Sequence, residues 1–321
     1  MIQTTFFSYK GGSGRTTTLF NTLPFLAKEL NATKDNPSVI FDMDYRSAGI
    51  TILFNKQEIY KVESDDDPID IEGKKRSIQY LLEKEDVAVD DLKDFKRKFA
   101  EPVGHIIGLE DNDSVLIVGA NLDLKNNEPD RKKAGVAIRA YAEFLAEEGV
   151  SCIVYDSPSG TQISAEVSVA NSKVIVCCMR PSYQFRETTL DYLDSFIEDY
   201  YYTTKKSVVL LTTAVPQKDI SVGGEYQISK AYVDIIQRIN FFNAVAFDNN
   251  PKRLATNPII DTAMIEEENM GIPEIERFKW SEKFPLYYIK TNNIEPLTKI
   301  EEYALERYSL LAKVIVSKAN I

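Results

Sequence analysis

Short apolar runs alternate with longer stretches of helical spacing along most of the chain. Runs of this length, bounded by polar residues, are typical of strands that are buried in a parallel sheet. They cover residues 2–8, 38–44, 114–119, 152–156, 173–179 and 207–212. Between them, apolar residues recur every three or four positions, which predicts amphipathic helices. Strands that alternate with helices in this way are typical of an α/β fold.

The helical stretches can be placed from their apolar stripes. The first follows residue 14 and carries Leu19, Leu23, Leu26 and Leu30 on one face. Further helices are predicted at 77–83, 131–148, 183–198 and 225–240. Residues 285–289 are predicted as a last strand, and a final helix follows whose stripe extends from Ile300 to Ile315. Residues 310–321 carry only two lysines and no Trp or Phe, unlike a basic membrane-binding tail, so we expect the helix to pack on the core.

Composition indicates a globular protein whose length would allow two domains, although the spacing of the motifs described below favours one. The chain has 321 residues, of which 44% are hydrophobic and 27% are charged, which suits a substantial core. The stretch 217–283 is longer than a simple connection between a strand and a helix, and 55–76 combines an acidic run with a basic one. We therefore predict a single domain over 1–321, with insertions at about 55–76 and 217–283.

Charge and the rarer residues exclude several classes of function. The net charge of −11 argues against non-specific DNA binding, although a local basic patch would still permit it. Cys152, Cys177 and Cys178 lie in apolar runs and are predicted to be buried thiols. His105 is the only histidine, so neither a zinc site nor a histidine-dependent hydrolase is expected. We predict neither a transmembrane segment nor a signal peptide, and hence a cytoplasmic protein.

A glycine-rich loop joins the first strand to the first helix. A loop in this context can direct backbone N–H groups and the positive end of a helix dipole at a phosphate. Its glycines let the backbone approach an anion without a Cβ in between. The loop reads Lys10-Gly11-Gly12-Ser13-Gly14-Arg15-Thr16-Thr17.

Carboxylates follow two of the other predicted strands. Asp42 and Asp44 end the second strand, and Asp156 ends the run 152–156 before Ser157-Pro158-Ser159-Gly160. Ligands of parallel α/β sheets lie at the carboxyl ends of the strands, where such acids can reach Mg²⁺ or an attacking water. The alternative is that they are solvated polar residues that merely end the strands.

Together these segments resemble one family. Lys10–Thr17 resembles the deviant Walker A motif of the ParA/MinD ATPases, usually K-G-G-x-G-K-[ST]-T, with Arg15 in place of the second lysine. Asp42–Gly49 is similar to the family's D-x-D-x-x-x-x-G segment, and Asp156–Gly160 is similar to its Walker B strand and switch region. The resemblance covers about residues 1–213 and the last 35 or so.

The resemblance implies a P-loop fold, a mostly parallel sheet with helices on both faces, that binds ATP and Mg²⁺. Residues 10–17 would bind the nucleotide; Thr16, Asp42 and Asp156 would lie at the metal. Arg15 would stabilise phosphate charge, Asp44 would orient the water, and Lys10 would reach the nucleotide of a partner in a homodimer. Residues 157–168 would form the loop that senses the γ-phosphate, and 290–296 would contact the base.

The predicted function is a nucleotide-dependent dimerising switch. It would bind and slowly hydrolyse ATP with Mg²⁺ to position or regulate a protein partner encoded nearby. Arg15 leaves turnover open, and the sequence does not separate ATP from GTP. One alternative is a bacterial tyrosine kinase-like ATPase, whose D-x-D-x-R pattern fits Val39–Arg46. Another is a scaffold that binds nucleotide without hydrolysing it.

Overall fold

A computed structural model describes most of the chain. The described residues are 1–59, 77–83, 96, 99–122, 129–200, 206–216, 235, 237–244, 260–261, 264, 271–280 and 283–320. Most of the predicted insertion at about 55–76, and most of that at 217–283, lie outside these ranges. The division of the chain into one domain with two insertions therefore stays a prediction.

The described strands form one eight-stranded sheet in the order β3-β4-β2-β5-β1-β6-β7-β8. Neighbouring strands are parallel except for β3 and β4, which are antiparallel. The mostly parallel sheet of the predicted fold class is thereby confirmed. The strands are β1 (Ile2–Ser8), β2 (Ser38–Asp42), β3 (Glu101–Pro102), β4 (Val115–Val118), β5 (Cys152–Ser159), β6 (Val174–Met179), β7 (Ser207–Thr212) and β8 (Ile260–Asp261).

Nine described α-helices have bounds that the structure gives, and residues 237–244 are also helical. The predicted helices after residue 14 and at 77–83, 131–148, 183–198 and 300–315 are confirmed, whereas 225–234 lie outside the described residues. The nine are α1 (Arg15–Glu29), α2 (Gly49–Leu53), α3 (Ile78–Glu83), α4 (Arg131–Glu147), α5 (Ile163–Asn171), α6 (Tyr183–Tyr200), α7 (Glu276–Trp280), α8 (Leu286–Thr291) and α9 (Lys299–Ala319).

The predicted strand at 285–289 is wrong, because these residues begin helix α8. Pro285 is the N-cap of the helix, and Leu286 and Ile289, one turn apart, are its buried residues. The Leu286 amide donates a 2.9 Å hydrogen bond to the Asn21 side-chain oxygen of α1. Packing against α1 thus overrides the strand preference of a short apolar and aromatic run.

Helices cover both faces of the sheet. Alternate strand residues such as Ile40 and Val154 pack with α1, α8 and α9 on one face. Their neighbours, such as Phe41 and Tyr155, face a second layer that includes α3 and α4, and further along the sheet α5 and α6 pack near Phe7. This alternation follows from the period of two in a strand.

Helix α9 packs on the core, as predicted. Its buried stripe includes Ala304, Tyr308 and Leu311. Its first turn has a capping box, in which the Thr298 side chain and the Glu301 side chain bond each other's backbone amides. Glu301 also pairs with Arg277 at 2.8 Å, so one buried carboxylate fixes α7 to the start of α9.

The cysteines have the buried surroundings that the sequence predicts. All three thiols are buried and free, and burial raises the pKa of Cys177 to about 12. His105 is exposed on a 3₁₀ turn. Within the described ranges, no helix is long and apolar enough to cross a membrane.

Candidate functional site

The glycine-rich loop connects β1 to the N-terminus of α1. Gly12 and Gly14 have φ angles of 78° and 75°, in the left-handed region that glycine adopts at low cost. Gly14 is the N-cap of α1, and no side chain caps this end of the helix. The N–H groups of the first turn and the positive end of the helix dipole therefore face the loop, which is the arrangement that binds phosphate groups.

The middle of the loop is anchored to the ends of two strands. The Thr213 hydroxyl, just after β7, donates to the Ser13 carbonyl oxygen and to the Met179 carbonyl oxygen of β6. The Ser13 hydroxyl is itself buried and has no hydrogen-bond partner among the described residues. A buried hydroxyl without a partner is costly, so this atom fits a loop that is completed by a polar ligand.

Lys10, at the start of the loop, is half-buried against helix α6. Its ammonium lies 5.7 Å from the centroid of the Phe185 ring, on the first turn of α6. The preceding residue, Tyr9, packs its ring on Tyr192 of the same helix, with centroids 5.3 Å apart. The lysine is therefore beside α6 in this structure, and its predicted reach to a partner nucleotide stays a prediction.

The sheet order brings the predicted carboxylates together. Strand β5 lies between β1 and β2, and Asp156 is directly opposite Asp42 in the β2–β5 pairing. Arg15 Nε donates to Asp156 Oδ1 at 2.9 Å, and its Nη2 donates to Asp44 Oδ2 at 2.7 Å. Thr16 Oγ1 donates to Asp156 Oδ2 at 3.0 Å. Loop and acids thus form one cluster at the carboxyl ends of the strands.

This cluster carries excess negative charge in a buried place. Burial raises the pKa of Asp156, and the nearby Arg15 charge only partly opposes it. Burial and the Asp156 charge together raise the pKa of Asp42 well above its ordinary value, against the hydrogen bonds from Thr51. Arg15 pairs with Asp44 and Asp156 but not with Asp42, which bonds Thr51, so one positive charge faces three neighbouring acids and the site favours a further cation.

Thr51 of α2 is a site residue that the sequence analysis missed. Its amide and hydroxyl donate to Asp42 Oδ2 at 3.0 Å and 2.5 Å. The hydroxyl in turn accepts from the Ala120 amide at 3.0 Å. The only signal for this role in the sequence was a threonine hydroxyl in a short apolar stretch that follows the acidic segment. Asp42 is therefore held by α2, and the helix is fixed beside the loop.

The donor set suits Mg²⁺ bound together with phosphate. Mg²⁺ prefers oxygen ligands and is usually held by one or two side chains plus phosphates and waters. Thr16 and Asp156 supply such oxygens, whereas Asp42 is occupied by Thr51 and fits only the outer water shell. No group of three His, Cys, Asp or Glu in the described part of the chain could hold a metal. The metal roles of these residues stay predictions.

The segment after Asp156 is more regular than predicted. Strand β5 continues to Ser159 and α5 begins at Ile163, so only residues 160–162 lie outside regular structure. The prediction of a loop over 157–168 is wrong in extent. Gly160 has a φ of 78°, and its amide donates to the Ser8 carbonyl oxygen at 3.0 Å. The short connection therefore runs beside the end of β1, where the glycine-rich loop begins.

A cavity of about 210 Å³ lies beside the first turn of α1. Its walls come from that turn, from the ends of β6 and β7, and from residues 272–279. Aromatic and aliphatic walls with polar groups at the edge suit a flat base. The lining includes Gly14, Thr17, Arg180, Thr213, Ile272, Pro273 and Phe278.

The predicted base-contacting segment at 290–296 does not line this cavity. The segment begins in the last turn of α8, whose Tyr287 contacts Lys28 in the last turn of α1. The phosphate loop is at the other end of the same 15-residue helix, about 20 Å away at 1.5 Å per residue. The strand at 285–289 on which this prediction relied is a helix, and the base contact itself stays a prediction.

Comparisons with known proteins find similar folds among solved structures. No family model and no curated protein sequence matches the chain. Among solved structures, it is similar to the ATP complex of a McdA variant from Cyanothece, with 15% identity over 99% of this chain and 96% of that chain, and a TM-score of 0.58. It is also similar to a plasmid partition protein from Borrelia burgdorferi B31 bound to AMPPNP, with 18% identity, 98% coverage of both chains and a TM-score of 0.53.

A third similar structure is the septum site-determining protein MinD from Pyrococcus horikoshii with Mg-ADP. It shares 14% identity over the whole of both chains, with a TM-score of 0.54. At these identities the likeness shows the fold, which is that of the ParA/MinD-type P-loop ATPases. The expected fold is thereby confirmed.

Proposed function

We propose that this chain is a nucleotide-dependent switch that binds ATP with Mg²⁺, hydrolyses it slowly and dimerises to position or regulate a partner. The observation that carries the proposal is the convergence of Arg15, Thr16, Asp44 and Asp156 at the mouth of an uncapped helix N-terminus. The similar structures were determined with ATP, AMPPNP and Mg-ADP, which supports a nucleotide as the ligand.

Different groups at the loop bind different parts of the nucleotide. The N–H groups of Gly11–Gly14 and of the first helical turn hold the phosphates. The Ser13 hydroxyl, which has no hydrogen-bond partner in the described part of the chain, supplies one more polar contact. Arg15 adds a positive charge at the β- and γ-phosphates. The cavity beside Thr17 takes the base, while Arg180 and Thr213 provide polar groups at its edge.

Thr16 and Asp156 would hold Mg²⁺, and Asp42 would face its water shell. When bound, Mg²⁺ neutralises phosphate charge and so makes the terminal phosphate more open to attack. Asp44 is 15% exposed, the only one of the three acids in contact with solvent. It is therefore the acid best placed to orient a hydrolytic water.

Nucleotide binding tests the proposal directly. We expect calorimetry of the purified chain with Mg²⁺ and ATP to show one site per chain. Thr16→Ala should weaken binding in Mg²⁺ more than in EDTA, because it removes a metal ligand and leaves the loop backbone intact. The matched control is Thr291→Ala at the exposed end of α8, whose hydroxyl bonds the Tyr287 and Tyr288 carbonyl oxygens and the Asn292 side chain, far from the loop. No binding of ATP or GTP by the wild-type chain would refute the proposal.

A scaffold that binds but does not hydrolyse is a second candidate, favoured by the bridge that Arg15 makes between Asp44 and Asp156. If this bridge persists with nucleotide bound, Asp44 cannot orient water. Phosphate release by wild type, Asp44→Ala and Arg15→Lys separates the two candidates. A switch loses turnover in Asp44→Ala, whereas a scaffold shows no turnover in the wild type or in Asp44→Ala.

Separate measurements test the kinase alternative and the predicted dimer. Phosphotyrosine found by mass spectrometry after incubation with ATP would support a tyrosine kinase-like ATPase. Light scattering with and without AMPPNP tests for a homodimer, and Lys10→Ala should reduce any dimer that forms with nucleotide. The partner or cargo of such a switch is expected to recognise the nucleotide-bound form.

A further inference from the structure

The positive charge at the centre of the site is shared among acids and not directed into the phosphate loop. Arg15 is 8% exposed, and its two bonded nitrogens reach two different carboxylates. Its Nη2 is also 3.3 Å from Thr16 Oγ1. One guanidinium therefore contacts the hydroxyl and the carboxylate proposed as metal ligands, and also the acid proposed to orient water.

Charge explains why the guanidinium lies there. Asp156 and Asp42 are fully buried neighbours across two strands, with Asp44 beside them. Buried carboxylates without a counter-ion are costly. Arg15 reduces this cost in the chain without ligand, and its planar fork can bridge two acids, which the single ammonium of a lysine does less well.

We propose that Arg15 is a built-in counter-ion that excludes the metal until a phosphate group draws the guanidinium away. The inference rests on the proposed nucleotide function and deepens it. A phosphate matches the guanidinium fork at least as well as a carboxylate does. An incoming triphosphate therefore competes for Arg15, and its departure exposes Thr16 and Asp156. Phosphate and divalent cation then bind together, and the cation replaces the guanidinium as the positive partner of Asp156.

Metal binding without nucleotide tests this inference. We expect Mn²⁺, followed by electron paramagnetic resonance, to bind the nucleotide-free wild-type chain weakly. Arg15→Gln should bind Mn²⁺ roughly 10-fold or more tightly, since one nearby unit charge changes the binding of a proton by about 1–3 log units. Arg15→Lys should fall in between. The matched control is Arg139→Gln, an exposed arginine of α4, which should bind like wild type.

A second measurement uses the wild-type chain alone. With ¹⁵N-labelled arginine, the Arg15 Nε–H signal, identified by its loss in Arg15→Lys, should be protected from solvent exchange without ligand. Inorganic tripolyphosphate should shift it, because the phosphates replace Asp156 as its acceptor. This measurement needs no folded Arg15→Gln variant.

Two results would overturn the inference. One is equal Mn²⁺ affinity of the nucleotide-free wild type and a folded Arg15→Gln. The other is an Arg15 Nε–H signal that tripolyphosphate leaves unchanged although it binds. Neither result depends on ATP binding as measured by calorimetry, so failure of this inference can be told apart from failure of the proposed function.

Discussion

Replacing Thr51 by valine should destabilise the fold and loosen Asp42. The hydroxyl donates to Asp42 Oδ2 at 2.5 Å and accepts from the Ala120 amide at 3.0 Å, and Thr51 is fully buried. Valine is similar in shape, so the change mainly removes these two hydrogen bonds. The amide of residue 51 still bonds the carboxylate.

The cost follows from the two lost partners. A hydrogen bond to a charged group contributes about 1.5–3 kcal/mol, and a buried amide left without an acceptor costs about 1–3 kcal/mol. Together these contributions predict a loss of roughly 2.5–6 kcal/mol in the free energy of unfolding. With an unfolding entropy of about 2.1 cal/mol/K per residue, such a loss lowers Tm by roughly 4–9 °C in a chain of 321 residues.

Urea unfolding at neutral pH measures the loss, and Thr22→Val is the matched control. Thr22 is also fully buried, but its hydroxyl bonds only the Thr18 carbonyl within α1, so its replacement should cost less than about 1 kcal/mol. In a double-mutant cycle, Asp42→Asn should reduce the effect of Thr51→Val. Equal destabilisation by Thr51→Val and Thr22→Val, or strict additivity with Asp42→Asn, would refute the reasoning.

Three further predictions concern the frame around the site. Glu301→Gln should lower the free energy of unfolding by about 1–3 kcal/mol at pH 7. Burial alone would raise the pKa of Glu301, but hydrogen bonds from Arg277 and from the capping box lower it. This stability is present above the unfolded pKa and lost as pH falls through the folded one, so urea curves that differ equally at pH 7 and pH 3 would contradict it. Gly104→Ala should lower the free energy of unfolding by ~3 kcal/mol, because a Cβ there would overlap a backbone carbonyl oxygen. A Cβ at Gly135 meets open space, so Gly135→Ala should stabilise α4 by about 0.5–1 kcal/mol. Thermal melts that rank the two variants in reverse would refute this. Lys206→Met should lower the free energy of unfolding by about 2 kcal/mol, since Lys206 Nζ donates to three carbonyl oxygens near the end of α5 at 2.6–2.8 Å. Unchanged hydrogen exchange in the last turn of α5 would show that these bonds contribute little.

The ligand edge of the sheet could be predicted because it depends on local pattern. Apolar runs fixed the strands, and the acids after them had to meet at one edge once the strands were parallel. Asp42, Asp44 and Asp156 are therefore close to Arg15 and Thr16, as the spacing of the motifs indicated.

The features that the sequence did not predict depend on contacts between distant segments. Residues 285–289 are helical because α1 accepts their first amide, and no periodicity within five residues reports that bond. The direction of the Arg15 side chain is set by charges 29 and 141 residues away. The cavity beside α1 joins segments near 14, 180, 213 and 275, and only the fold shows that they meet.

Packing of α1 against α9 has a consequence for the order in which the protein matures. The helix that follows the phosphate loop ends at residue 29, whereas α9 ends at residue 319. The two pack in one core cluster. At about 5–20 residues per second, a ribosome takes roughly 15–60 s to make the chain between them. During that interval the apolar face of α1 lacks its cover. The helix behind the glycine-rich loop, although translated first, thus gains its full packing only late in synthesis.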